Sequence, residues 1–175
     1  MPQPQAPTIL TKGGTYPATG AMHVHLVPES SEEAFTIELT EAGSEILVTS
    51  AVVLSEGLSD LSLTVHHRAP NTSAQVLVKT LATQGAKASF KGLLMIDPSM
   101  PGCSSYLTHQ SLLFDQAASK SWPALEISNN QVKCSHAVTS RTITDTNLFY
   151  LRSRGLTVTD SRRLLTEAFL SDVTF

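Results

Sequence analysis

Apolar residues fall in short bursts along this chain, rich in Val, Ile, Leu, Thr and Phe and separated by polar or Gly/Pro stretches. Residues 22–27, 35–39, 46–53, 61–67, 75–81, 88–96, 106–114 and 125–136 read as β-strands on that pattern, with no convincing helix between them. Several bursts, "AVVL" and "GLLMI" among them, are continuous rather than alternating, which indicates burial on both faces. From Leu61 to Leu125 the strands begin roughly 13–19 residues apart, a spacing that suits a sandwich, a jelly roll or an irregular β-solenoid. Periodicity does not choose among these.

Both ends of the chain differ from this middle. Residues 1–20 are rich in Pro, Gly, Gln and Thr and read as a flexible arm. From about residue 143 the period becomes helical. "TDTNLFYLRSRGL" offers Thr144 or Asp145 as a cap, Leu148 and Leu151 on one face, and Gly155 as a stop. "TVTDSRRLLTEAFLSDV" restarts with Thr159 as a cap and lines up Leu164, Leu165, Ala168 and Phe169. The expected organisation is an arm over 1–20, a β body over 21–142 and a helical hairpin over 143–175.

Composition narrows the partners. With 175 residues the chain is long enough for one domain with a real core, and 41% apolar against 15% charged residues rules against wholesale disorder. A net charge of −3 without a dense Lys/Arg run gives no electrostatic footprint for nucleic acid or an anionic membrane. No run approaches the roughly 20 apolar residues of a membrane span, and the first residues lack the pattern of a secretory signal. The expected location is the cytosol, where Cys103 and Cys134 are reduced thiols and the Asn71-Thr72-Ser73 glycosylation pattern carries no meaning.

The candidate chemistry is sparse. There is no nucleophile elbow, Walker loop, HExxH or dinucleotide fingerprint. His23 and His25 share one strand face without further ligands at zinc spacing, and adjacent His66 and His67 must point to opposite faces. Cys134 and His136, in "QVKCSH", also share a face. Their spacing suits a metal, acid–base chemistry or an ordinary buried pair. Two residues apart on a strand they point in parallel, a poor geometry for a Cys–His nucleophile.

The segments "HHRAPNTSAQVLVKTL", "ASFKGLLMIDPSM", "LLFDQA", "PALEI", "VKCSHAVTSR", "LFYLRSRGL" and "AFLSDV", in that order from His66 to Val173, resemble the core and carboxy-terminal region of the SufB/SufD family. These proteins assemble iron–sulfur clusters with the ATPase SufC. The resemblance implies a right-handed parallel β-helix followed by two helices that dock on a SufC-like ABC-type ATPase. Docking would use Leu148, Phe149, Leu151, Arg152, Arg154, Leu164, Leu165 and Phe169, with Arg162 and Arg163 at the rim. It also implies a non-catalytic, cytoplasmic scaffold that pairs with a SufB-like subunit or with itself, a cluster forming transiently at the contact. "VKCSH" and "FYLRSRG" are closer to the SufD branch, so Cys134 and His136 fall on its Cys-x-His, whose histidine is implicated in cluster formation. His109 falls where SufB carries its functional cysteine, and Ala137 replaces the acidic residue after SufB's histidine. Those departures imply that this chain does not build a cluster alone. Residues 1–60 contain none of the matching segments.

Overall fold

Ten-residue strands stacked in parallel form the body of the protein. The computed structural model describes residues 6–173. The described residues form strands β1 (Thr8–Leu10), β2 (Gly14–Ala18), β3 (Ala21–Leu26), β4 (Glu32–Leu39), β5 (Glu45–Leu54), β6 (Leu58–His67), β7 (Ser73–Ala82), β8 (Lys87–Ile96), β9 (Ser104–Leu113), β10 (Ala118–Ile127) and β11 (Lys133–Thr142), then helices α1 (Asp145–Ser153) and α2 (Val158–Leu170). Odd-numbered strands make one sheet in the order β1-β3-β5-β7-β9-β11, and even-numbered strands make the other, β2-β4-β6-β8-β10. Every pairing is parallel. The chain therefore winds as a β-solenoid, two strands to a turn. The register runs from Glu45 to Ser73 to Ser104 to Lys133, a turn of about 28–31 residues. Half of that turn is the strand spacing seen in the sequence, which selects the solenoid from the three architectures left open.

Alternate residues of each strand face the space between the sheets. Phe35, Ile37, Leu39, Leu61, Leu63, Val65, Phe90 and Leu94 from the even sheet meet Val24, Val48, Val76, Val78 and Leu107 from the odd one. Packing is tight enough to dictate a glycine: a Cβ on Gly92 would stand 2.6 Å from Leu107 Cδ1 and 2.9 Å from the Phe90 ring. On one side the turns end in four-residue corners, Thr83–Ala86 and Phe114–Ala117, each closed by a hydrogen bond from its last N–H to its first carbonyl (2.9 and 3.0 Å). Gln84, Gly85, Asp115 and Gln116, the central residues, all have positive φ, the mark of type I′ turns. The opposite corners stack Ser44, Thr72 and Cys103, all buried, in one column. Ser44 donates to Glu41 O at 2.8 Å, Thr72 to Ala69 O at 3.0 Å and Cys103 to Ala69 O at 3.4 Å.

Three expectations need correction. Residues 8–18 of the expected arm form β1 and β2, which pair with β3 and β4, while residues 1–5 lie outside the described residues. The single strand expected over 125–136 is two, β10 and β11, broken at Asn129-Asn130, where the Asn129 side chain accepts the Gln131 N–H at 2.8 Å. Pro123 is tolerated in β10 because that strand is the edge of its sheet. The second helix is capped by Thr157, whose side chain accepts the Asp160 N–H at 3.0 Å, rather than by Thr159. The first begins at Thr144 as expected and stops at Gly155, with φ of 91°.

The second helix lies against the odd sheet. Leu165, Phe169 and Leu170 of α2 pack on Leu81, Leu112 and Phe114. Lys79, nearly buried on the outer side of β7, donates to the helix-end carbonyl of Phe169 at 2.5 Å, pairs with Asp172, and lies 4.9 Å from the Phe169 ring centre. Arg162 makes a two-pronged bond to Asp115 at 2.6 Å. No helix among the described residues is long and apolar enough to cross a membrane.

Candidate functional site at the last rung

Two inward ladders of the odd sheet end on β11 in Cys134 and His136. Met22, Ile46, Ala74, Ser105 and Cys134 form one ladder, and Val24, Val48, Val76, Leu107 and His136 the next. The second is apolar and buried through Leu107, and then ends in a histidine. β11 is the last strand of its sheet, as β10 is of the other, so nothing among the described residues lies over their inward side chains. Cys134 is half-buried against the core and His136 is exposed. The solenoid thus ends in an open rung carrying a thiol and an imidazole on one face. Burial pushes the Cys134 thiol up from its ordinary pKa, against a smaller lowering effect from the Ser135 N–H.

His109 does not join them. Its register partner on β11 is Val138. It is fully buried, with Nε2 3.0 Å from Thr80 Oγ1 and its ring 4.7 Å from that of Phe90. Burial lowers its pKa to about 4. His109 is thus a buried core histidine one rung beneath β11.

The remaining histidines divide as their strand positions require. His66 points outward, with Nε2 2.8 Å from Asp97 Oδ1. His67 points inward, fully buried, with Nδ1 2.8 Å from Thr72 Oγ1 and a pKa lowered to about 4 by burial and, secondarily, by His66. His23 Nε2 and His25 Nδ1 lie 3.0 and 2.9 Å from the Thr49 hydroxyl. No group of three His, Cys, Asp or Glu side chains able to hold a metal gathers among the described residues. Cys103 and Cys134 are both free thiols.

The expected docking residues separate into two sets. Leu148 is buried, and Leu165 and Phe169 are packed on the β body, so these three hold the hairpin in place rather than offering a surface. Phe149 (68% exposed), Leu164 (46%), Arg152 and Arg154 remain open, and Leu151 is intermediate. Phe149 and Arg152 line a groove with Leu156 and Val158 where the helices meet. Of the rim arginines, Arg162 is engaged with Asp115 and Arg163 with Glu167. Sequence reasoning missed Lys79 and Asp115 as the seats of α2. A lysine within the apolar burst of β7 was the available signal.

The family described as SUF system FeS cluster assembly, SufBD core domain, matches residues 20–169. Iron-sulfur cluster assembly protein SufD of Escherichia coli is 29% identical over 139 residues, 78% of this chain and 33% of that protein. An iron-sulfur cluster assembly SufBD family protein of Mycobacterium bovis is 31% identical over 108 residues, 61% of this chain and 13% of its own. One of Synechocystis is 28% identical over 116 residues, 66% and 24% respectively. The chain thus spans a third or less of the length of these relatives. With the family matched from β3 into α2, the chain belongs to the SufBD core-domain family of the SUF iron–sulfur cluster assembly system.

Proposed function

We propose that this chain is a non-catalytic scaffold or accessory subunit in Suf-type iron–sulfur cluster assembly, working in the cytoplasm. The observation that carries this is the open last rung, where two inward ladders end in Cys134 and His136. An iron–sulfur cluster takes about four protein ligands, and this rung supplies two. The cluster is cargo, held transiently where a second chain contributes the rest. β10 and β11 present unpaired backbone groups along ten residues each, with Trp122 and Val138 exposed beside them. Such an edge is suited to pairing with another solenoid, a SufB-like subunit or a second copy of this chain.

The hairpin serves a separate partner in this reading. The groove lined by Phe149, Arg152, Leu156 and Val158, with Arg154 and Leu164 nearby in sequence, is the seat for a SufC-like ABC-type ATPase. Apolar side chains with adjacent arginines suit a surface of mixed apolar and acidic character.

Anaerobic reconstitution with iron and sulfide, with a SufB-like protein and a SufC-like ATPase present, tests the scaffold role. Visible absorbance of a cluster should form with the wild-type chain and fall several-fold with Cys134→Ala or His136→Ala. Equal absorbance with both variants contradicts it. That outcome favours a second reading, an interaction module whose thiol is only packed, for which the contact of Cys134 with the core speaks.

A further inference from the structure

One buried hydroxyl lacks a partner where the ladder meets the thiol. Ser105 is 4% exposed, and its Oγ has no hydrogen-bond partner among the described residues. Leaving a hydroxyl buried and unpaired costs free energy that alanine would avoid. The preceding turns avoid it, with Ile46 and Ala74 at this ladder position. The hydroxyl enters only on the rung directly beneath Cys134, its register partner.

The ladder neighbour beneath Ser105 is apolar. Along β9, His109 packs on Phe90 and Leu107 approaches Gly92 on the opposing sheet. The same run sets Ser105 across from Leu94, which is fully buried and apolar. Ala74 lies below. Directly above lies Cys134, whose thiol carries the polar atom of the next ladder position. Adjacent strands are about 4.8 Å apart, so rotation about the two Cα–Cβ bonds brings Oγ and Sγ within hydrogen-bond reach.

We infer that Ser105 is a positioning residue that donates its hydroxyl hydrogen bond to the sulfur of Cys134 in the thiolate form that ligates iron. This rests on the reading of Cys134 as a cluster-assembly thiol. It adds a buried donor behind the sulfur, leaving the sulfur's outer side for the cargo and the partner. Outer-shell donors of this kind fix the orientation of a metal-binding ligand and tune its electron density.

The test compares Ser105→Thr with Ser105→Val, two side chains of the same shape of which only the first has a hydroxyl, alongside Ser105→Ala. The rate of carbamidomethylation of Cys134 by iodoacetamide is measured at one neutral pH on the full folded chain, with the modified residue located by mass spectrometry and Cys103 shielded by burial. Thermal melting of each variant is recorded in parallel. Removing a hydrogen bond to a thiolate lowers the thiolate fraction, so Ser105→Val and Ser105→Ala should react about threefold slower or more. Ser105→Thr should stay near the wild-type rate. Equal rates for the Thr and Val variants overturn the inference, whatever happens to melting temperature. The functional reading fails separately: cluster reconstitution that ignores Cys134→Ala sinks that reading while a Thr–Val difference still establishes the contact.

Discussion

His136 stands in register with Leu107, as the last member of a ladder in which Val24, Val48, Val76 and Leu107 are buried. A histidine that ends an otherwise apolar column, with no buried hydroxyl partner such as His67 and His109 have, is accommodated here because the rung above it is open. Its replacement should therefore be cheap in stability. Both His136→Leu, which continues the ladder, and His136→Ala should change unfolding free energy by less than about 0.5–1 kcal/mol. Urea denaturation measures this, and a larger loss would mean that the imidazole is part of the fold.

Two buried histidines make the fold acid-sensitive. His67 and His109 titrate near 4 in the folded chain against about 6.5 unfolded, because burial disfavours their charged forms. Between those values the unfolded chain binds more protons. Stability is then fully present above about pH 6.5, falls as pH drops toward 4, and levels off below. At pH 5 each group costs about 2 kcal/mol. Urea unfolding at pH 7.5 and pH 5 should show that drop, and His109→Gln should remove roughly half of it. A pH-independent midpoint would contradict the assignment of both as neutral core groups.

The two anchors of α2 differ in strength. Lys79 has a side chain only 6% exposed and serves the Phe169 carbonyl, so Lys79→Ala leaves a helix-end acceptor unsatisfied and should cost about 1–3 kcal/mol. Arg162 and Asp115 are more than a third exposed, and Arg162→Ala should cost less than about 1 kcal/mol despite its short bonds. Limited proteolysis around residues 154–158 should accelerate much more in the lysine variant. The reverse ranking would show that the surface pair holds the helix.

Much of this architecture was legible in the sequence because strand and helix periods are local properties. The bursts gave most strands, Gly155 gave the helix stop, and adjacent His66 and His67 take opposite faces as alternation demands. β1 and β2 were not legible because their side chains are mostly exposed and their sequence is turn-like; neighbours in β3 and β4 hold them in the sheet. The break between β10 and β11 was hidden by apolar residues on both sides of Asn129-Asn130. For the site, Cys134 and His136 were visible from spacing, whereas the openness of their rung depends on strand order, which no local pattern encodes. The burial of His109 was hidden for the same reason: only the register shows that it lies under Val138.

The corners offer a stabilising change. Gly85 and Gln116 occupy equivalent positions of successive turns, both with positive φ, at 76° and 61°. A side chain there costs about 1 kcal/mol that glycine avoids. Gln116→Gly should raise stability by about 0.5–1 kcal/mol, seen as a higher melting temperature. An unchanged or lower value would show that Gln116 makes contacts that outweigh its backbone strain.

The most direct test of the open-rung site measures mass and iron on one sample. Wild-type chain is reconstituted with iron and sulfide beside a SufB-like partner and passed through size exclusion with light scattering, and iron is quantified across the peaks. The account predicts iron in the peak of the paired chains and none with either chain alone. Cys134→Ala and His136→Ala should pair normally but carry several-fold less iron. Equal iron in the paired wild type and both variants, or full iron on this chain by itself, would contradict it.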